Sequence, residues 1–110
     1  MDKSVNALLH GTLDALILKI LSDGPRHGYG IARALEKAHG AALSIKDGSL
    51  YPSLYRMEQK KWLQAEWVTS DLGRDVKQYR LTPAGRKRLA EETRQWQTFA
   101  GIVSRILLPS

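Results

Sequence analysis

Gly48-Ser49-Leu50-Tyr51-Pro52-Ser53-Leu54-Tyr55-Arg56-Met57-Glu58-Gln59-Lys60-Lys61 decides how the rest of the chain is read. Asp47 or Ser49 can cap a helix that begins here, and Pro52 then falls in its first turn, where a missing N–H costs nothing. At about 100° per residue, Leu50, Leu54 and Met57 share one side, which turns Pro52, Tyr55, Arg56 and Gln59 outward with Ser53 and Lys60 beside them. The first side is apolar enough to be buried. The second is polar, basic and aromatic.

Upstream, Gly11 and Thr12 open a helix, with Thr12 as its cap and Asp14 in its first turn. Leu13, Leu16, Ile17, Ile20 and Leu21 then recur on one helical face until Asp23, Gly24 and Pro25 end it. A second helix over residues 28–39 sets Ile31, Leu35 and Ala38 against Arg33, Glu36 and Lys37, and Gly40 supplies its stop. Downstream, residues 65–70 and 76–81 are β-favouring and flank a five-residue tip at 71–75, which reads as a hairpin. Thr82 followed by Pro83 is an N-cap with proline at the first helical position, and the helical pattern then persists almost to Pro109. Leu89, Trp96 and Val103 are seven apart, with Phe99 and Ile106 three residues after the last two, giving two heptads of a coiled-coil-like seam.

The order is therefore α, α, α, β, β, α: mainly helical with one small hairpin, the arrangement of a winged helix-turn-helix closed by a long helix. Residues 1–81 form the winged unit in this reading and residues 82–110 the dimerisation helix. The chain has 110 residues, enough for one compact core. Its 17 Lys and Arg exceed its 11 Asp and Glu, for a formal net charge of +6. Polyanions suit such a chain, although ribosomal and membrane-surface proteins share the bias, so the position of the charge has to decide.

With no cysteine, disulfides, thiolate nucleophiles and Cys-ligated zinc are excluded. No apolar run approaches the roughly 18 residues that would span a bilayer, and residues 1–10 lack a signal-peptide layout, so a cytoplasmic protein is expected. His10, His27 and His39 share no metal-ligand spacing, and no nucleophile–base pair or glycine-rich phosphate loop appears. Neither an enzyme nor a bound metal or cofactor is expected, and His27 is read as bracing a turn.

Charge position points to double-stranded DNA. Arg56, Lys60 and Lys61 lie on or just after the third helix, and Arg74, Lys77 and Arg80 on the hairpin, where a winged helix meets a duplex. Arg56 and Gln59 can each make paired hydrogen bonds to a base edge, Tyr51 and Tyr55 can meet phosphate or a thymine methyl, and Ser49 and Ser53 can donate to phosphate. Lys60, Arg74 and Lys77 complete the expected contacts. Tyr51 has an equal claim to fill space against the second helix, and Lys60 stands at a helix end where cations are favoured in any case. Leu89, Trp96, Phe99, Val103, Ile106 and Leu107 are too apolar for an exposed terminal helix, which predicts a homodimer joined through them.

Four ordered segments resemble one family: Gly11-Thr12-Leu13; His27-Gly28-Tyr29-Gly30-Ile31; Gly48-Ser49-Leu50-Tyr51-Pro52-Ser53-Leu54-Tyr55-Arg56-Met57-Glu58; and Tyr79-Arg80-Leu81-Thr82-Pro83-Ala84-Gly85. From about residue 9 to residue 96 the chain is similar to PadR-type transcriptional regulators, of the short-tailed kind with a single C-terminal helix. The resemblance implies a dimer bound to a palindromic operator, usually as a repressor relieved by a small molecule or stress signal. It also implies that a planar aromatic effector could lie against Trp96 at the dimer interface, with plain interface packing as the competing role of that residue. Three residues depart from the pattern: Asp75 and Val76 interrupt the basic run of the wing, and Gln78 stands where an aromatic residue is common. The interrupted wing is the feature that keeps a winged-helix protein-interaction module, without sequence-specific DNA binding, as the alternative.

Overall fold

The computed structural model describes residues 12–38 and 45–109. Helix α1 (Leu13–Leu21), strand β1 (Arg26–His27) and helices α2 (Gly28–Ala38) and α3 (Asp47–Gln59) lead into strands β2 (Leu63–Thr69) and β3 (Asp75–Leu81), and helix α4 (Pro83–Leu107) closes the chain. The expected opening of the first helix at Gly11 and the stop at Gly40 lie outside the described residues. Thr12 occupies the N-cap position of α1 without a side-chain cap hydrogen bond, contrary to expectation.

α1 is the centre of the molecule. Leu13, Ile17, Leu18 and Leu21 are all buried, because α2, α3, α4 and β3 pack around it and Leu18 is covered as well as the expected face. Ile31 and Leu35 of α2, Leu50, Leu54 and Met57 of α3, and Ile45, Leu63 and Tyr79 complete the core. Leu16 and Ile20 pack at its edge.

α3 begins one to three residues earlier than the sequence suggested. Ser49 and Leu50 donate their N–H groups to the Lys46 carbonyl at 3.0 and 2.9 Å, so extended Lys46 is the N-cap in place of Asp47 or Ser49. Pro52 therefore sits inside the helix. The carbonyl it deprives of a partner belongs to exposed Gly48, where water can replace the lost bond. At the other end the Trp62 and Lys61 N–H groups reach the Met57 and Glu58 carbonyls, both at 3.0 Å, and Lys61 takes a left-handed φ of 64°. This double bond pattern usually has glycine at the left-handed position.

The Thr82-Pro83-Ala84-Gly85 turn is fastened to that helix end. Thr82 Oγ1 donates to the Lys61 and Trp62 carbonyls at 2.7 and 3.0 Å and accepts from the Gly85 N–H at 3.0 Å, which caps α4. Gly85 is buried against the Trp62 carbonyl so closely that a Cβ would overlap the oxygen. The end of α3, the start of β2 and the start of α4 are thus one knot.

The sheet order is β1-β3-β2, antiparallel throughout, with Leu63 opposite Leu81 and Thr69 opposite Asp75. The hairpin tip is residues 70–74, one place earlier than expected, closed by Ser70 N–H to the Arg74 carbonyl at 2.7 Å, with Gly73 at φ 77°. β1 has only two residues, paired Arg26 to Tyr79 and His27 to Gln78, and gave no periodic signal to read.

Candidate nucleic-acid interface

α3 divides into three flanks. Tyr55, Gln59 and Pro52 point outward and are exposed. Tyr51 and Glu58 lean toward the wing. Ser49, Ser53 and Arg56 lean toward α1, where they line a small polar cleft of about 220 Å³ with Asp14 and Glu92.

Ser53, expected to donate to phosphate, is only 7 % exposed. Its Cα direction lies close to that of Leu50 on the helical wheel, and α1 covers that side. Ser49 is half-buried on the same flank. Arg56 is exposed, but its guanidinium is taken by Asp14 of α1, with Nη2 2.6 Å from Oδ1.

Tyr51 packs as the space-filling reading required. A Cβ on Gly28 would come within 2.6 Å of the Tyr51 hydroxyl, so this glycine lets the ring lie against the start of α2. The ring remains 43 % exposed at its outer edge. Beside it, His27 Nδ1 accepts the Gly30 N–H at 3.1 Å and so caps α2, which requires that nitrogen to be unprotonated. His27 stacks on Tyr29 with centroids 6.3 Å apart, and Tyr29 accepts from Arg33 Nη1 at 2.9 Å. Tyr29 and exposed Trp67 on β2 have no site role in the sequence reading, since nothing local marks them as neighbours of Tyr51. Tyr29, Tyr51, Trp67 and Tyr79 line an aromatic cleft of about 240 Å³ between α2, α3 and the wing.

On the wing, Lys77 is also spoken for. Its Nζ lies 3.0 Å from Glu58 Oε1 and 5.6 Å from the Tyr79 ring centroid. The hydrogen bond to Glu58 holds the ammonium above its ordinary pKa of 10.5. Burial holds the Tyr79 hydroxyl above its ordinary 10.0. Arg80 donates to Gln64 at 2.9 Å, and Lys60 rests 4.8 Å from the Trp62 ring centroid. Arg74 is exposed at the hairpin tip and makes no ion pair among the described residues.

α4 carries two kinds of surface along one face. Gly85 is buried, and Leu89, expected between subunits from its heptad position, is partly buried against the core of its own chain. From Trp96 onward the helix runs past the globular part: Trp96, Phe99 and Ile106 are 53, 65 and 76 % exposed. Leu107 is exposed too, Val103 is half-buried, and exposed Ile102 extends the patch although it falls off the heptad seam. Among the described residues no helix is long and apolar enough to cross a membrane, and no cluster of three His, Cys, Asp or Glu could hold a metal.

The sequence profile of the transcriptional regulator PadR-like family matches residues 17–91. The chain belongs to the PadR-like family. Membership places it among transcriptional regulators, a DNA-binding and non-enzymatic class. This PadR-like chain is 38 % identical over 84 residues to a transcriptional regulator of Mycobacterium tuberculosis, covering 76 % of itself and 75 % of that protein. Its fold superposes on the PadR family regulator of Eggerthella lenta with a TM-score of 0.83 at 31 % identity, over 98 % of this chain and 92 % of the other. With the PadR-like regulator of Bacillus cereus the TM-score is 0.79 at 30 % identity, over 94 % and 99 % of the two chains.

Proposed function

We propose that this PadR-like regulator is a homodimeric repressor that reads a palindromic operator, with α3 of each subunit in the major groove and the hairpin as a wing. Residues 1–81 are the DNA-binding unit and residues 82–110 the dimerisation helix. The division of α3 carries the reading: Leu50, Leu54 and Met57 are locked into the core while Pro52, Tyr55 and Gln59 face solvent beside the wing. A rigid inner face with a free outer one is what presentation of side chains to base edges requires.

Within this scheme Gln59 and Tyr55 meet base edges, and Arg56 joins them by exchanging Asp14 for DNA. Ser49, the outer edge of Tyr51, Lys60, Arg74 and Lys77 contact the backbone, Lys77 after release from Glu58. The overhanging apolar part of α4, with Trp96, Phe99, Val103, Ile106 and Leu107, supports pairing of two chains. Trp96 offers a stacking surface there for a small aromatic effector.

Selection of bound duplexes from a random pool tests this reading. An inverted repeat with half-sites centred about 10 base pairs apart is expected. A pool that shows no enrichment after repeated rounds contradicts it and favours the protein-interaction module.

A further inference from the structure

Two of the cations first expected to meet DNA are neutralised from within, Arg56 by Asp14 and Lys77 by Glu58, while Lys60 and Arg74 make no ion pair among the described residues. Unneutralised charge is also gathered outside that face. Arg26 of β1 and Arg33 and Lys37 of α2 form no ion pair among the described residues, and all three line one open groove of about 790 Å³ on the outer side of α2. Arg33 and Lys37 stand one turn apart on the face opposite Ile31 and Leu35. Arg26 Nε is buried with no hydrogen-bond partner. Asp23 is the carboxylate in the lining, so three cations face one acid. Glu36, the acid of α2, turns away and accepts the Ile45 N–H at 3.4 Å.

This groove is continuous with the surface that reaches α3. His27 and Tyr29 line both it and the aromatic cleft beside Tyr51. The Arg33 guanidinium is fixed at that junction by its 2.9 Å hydrogen bond to Tyr29, 5.7 Å from the ring centroid.

We infer that the outer groove of α2 is a phosphate-tracking surface for duplex DNA, along which the backbone next to the α3 site runs and where Arg33 and Lys37, with Arg26, supply sequence-independent affinity. The two side chains are about 6 Å apart along the helix axis. One DNA strand presents a charge every ~3.4 Å of its axis, so both can meet phosphates of a single strand. Neither has to give up a carboxylate first, as Arg56 and Lys77 do, so each adds neutralisation outright. The inference rests on the DNA-binding reading above.

The test compares wild type with Arg33→Ala/Lys37→Ala on the selected duplex and on a random-sequence duplex of equal length, titrated between about 50 and 200 mM salt. Removing two phosphate-neutralising cations from each of two subunits, at about 0.9 per phosphate, should flatten the slope of log K against log salt by ~3 to 4. Affinity for both duplexes should fall in proportion, leaving the preference between them unchanged. Lys87→Ala/Arg94→Ala removes equal charge from exposed positions of α4 and should barely move the slope. A slope for the α2 variant equal to wild type, or matched by the α4 control, overturns the inference, as does loss confined to the selected duplex. If wild type itself binds neither duplex, the DNA-binding reading fails with it; in the other outcomes wild-type binding is intact, so the two failures are distinct.

Discussion

Replacing Phe99 and Ile106 together with alanine should dissociate the proposed dimer while the winged helix stays folded. In the single chain these side chains are 65 and 76 % exposed. Full burial of a large apolar side chain contributes about 1.5–3 kcal/mol, so scaling by the exposed fraction gives about 1–2 kcal/mol for each, or roughly 3 kcal/mol for the pair. Twofold symmetry counts the pair twice, for roughly 6 kcal/mol per dimer. Alanine keeps part of the contact and two crossing helices cover each other only in part, so about half, roughly 3 kcal/mol, should be lost. That is about two powers of ten in the dimer dissociation constant. Sedimentation velocity over a wide concentration range reads it directly. Because neither residue belongs to the core, helical circular dichroism should persist in the dissociated protein. A double variant with the dimer constant of wild type would refute the reasoning, whatever its effect on DNA.

Gly85→Ala should cost about 2 kcal/mol in urea unfolding, since overpacking against the Trp62 carbonyl and strain in its bonds to Thr82 exceed the ~1 kcal/mol gained in helix propensity; a stabilised variant would contradict this. Lys61→Gly should raise stability by about 1 kcal/mol by relieving the left-handed backbone at φ 64°, and a loss would show that the Lys61 side chain matters more than its backbone. Asp14→Asn frees Arg56 at a stability cost below about 1 kcal/mol, because the pair is half-exposed. Duplex affinity should rise and the salt slope steepen by about 0.9 per subunit, whereas weaker binding would mean that the pair positions Arg56 for DNA. Lys77 and Tyr79 both titrate above their unfolded values, so the stability each contributes is present below pH 10 and is lost as pH rises through the raised values. Glu58→Gln should remove the Lys77 share of that alkaline loss, seen as a shallower fall of the melting temperature.

Periodicity made most of the fold legible. The inner face of α3, the hairpin and α4 were readable because each repeats a local rule over seven or more residues, and Thr82-Pro83 marked a helix start by chemistry alone. β1 was not readable, being two residues whose strand character comes only from pairing with β3. The candidate site was less legible than the fold, because charge partners are set by tertiary contact: Asp14 and Arg56 are 42 positions apart, and nothing near either predicts the other. Outward direction on a helical wheel identified Tyr55 and Gln59 correctly as exposed, but it could not say that α1 covers the flank of Ser53. Heptad spacing likewise placed Leu89 and Trp96 on one seam, although the core ends between them.

Methylation interference on the selected duplex tests the central claim most directly, since guanine N7 lies in the major groove where α3 is placed. Two patches of interference one helical turn apart on the same side of the duplex, with two chains bound per site, are predicted. A single patch, or full binding to a duplex methylated throughout both half-sites, would contradict the account.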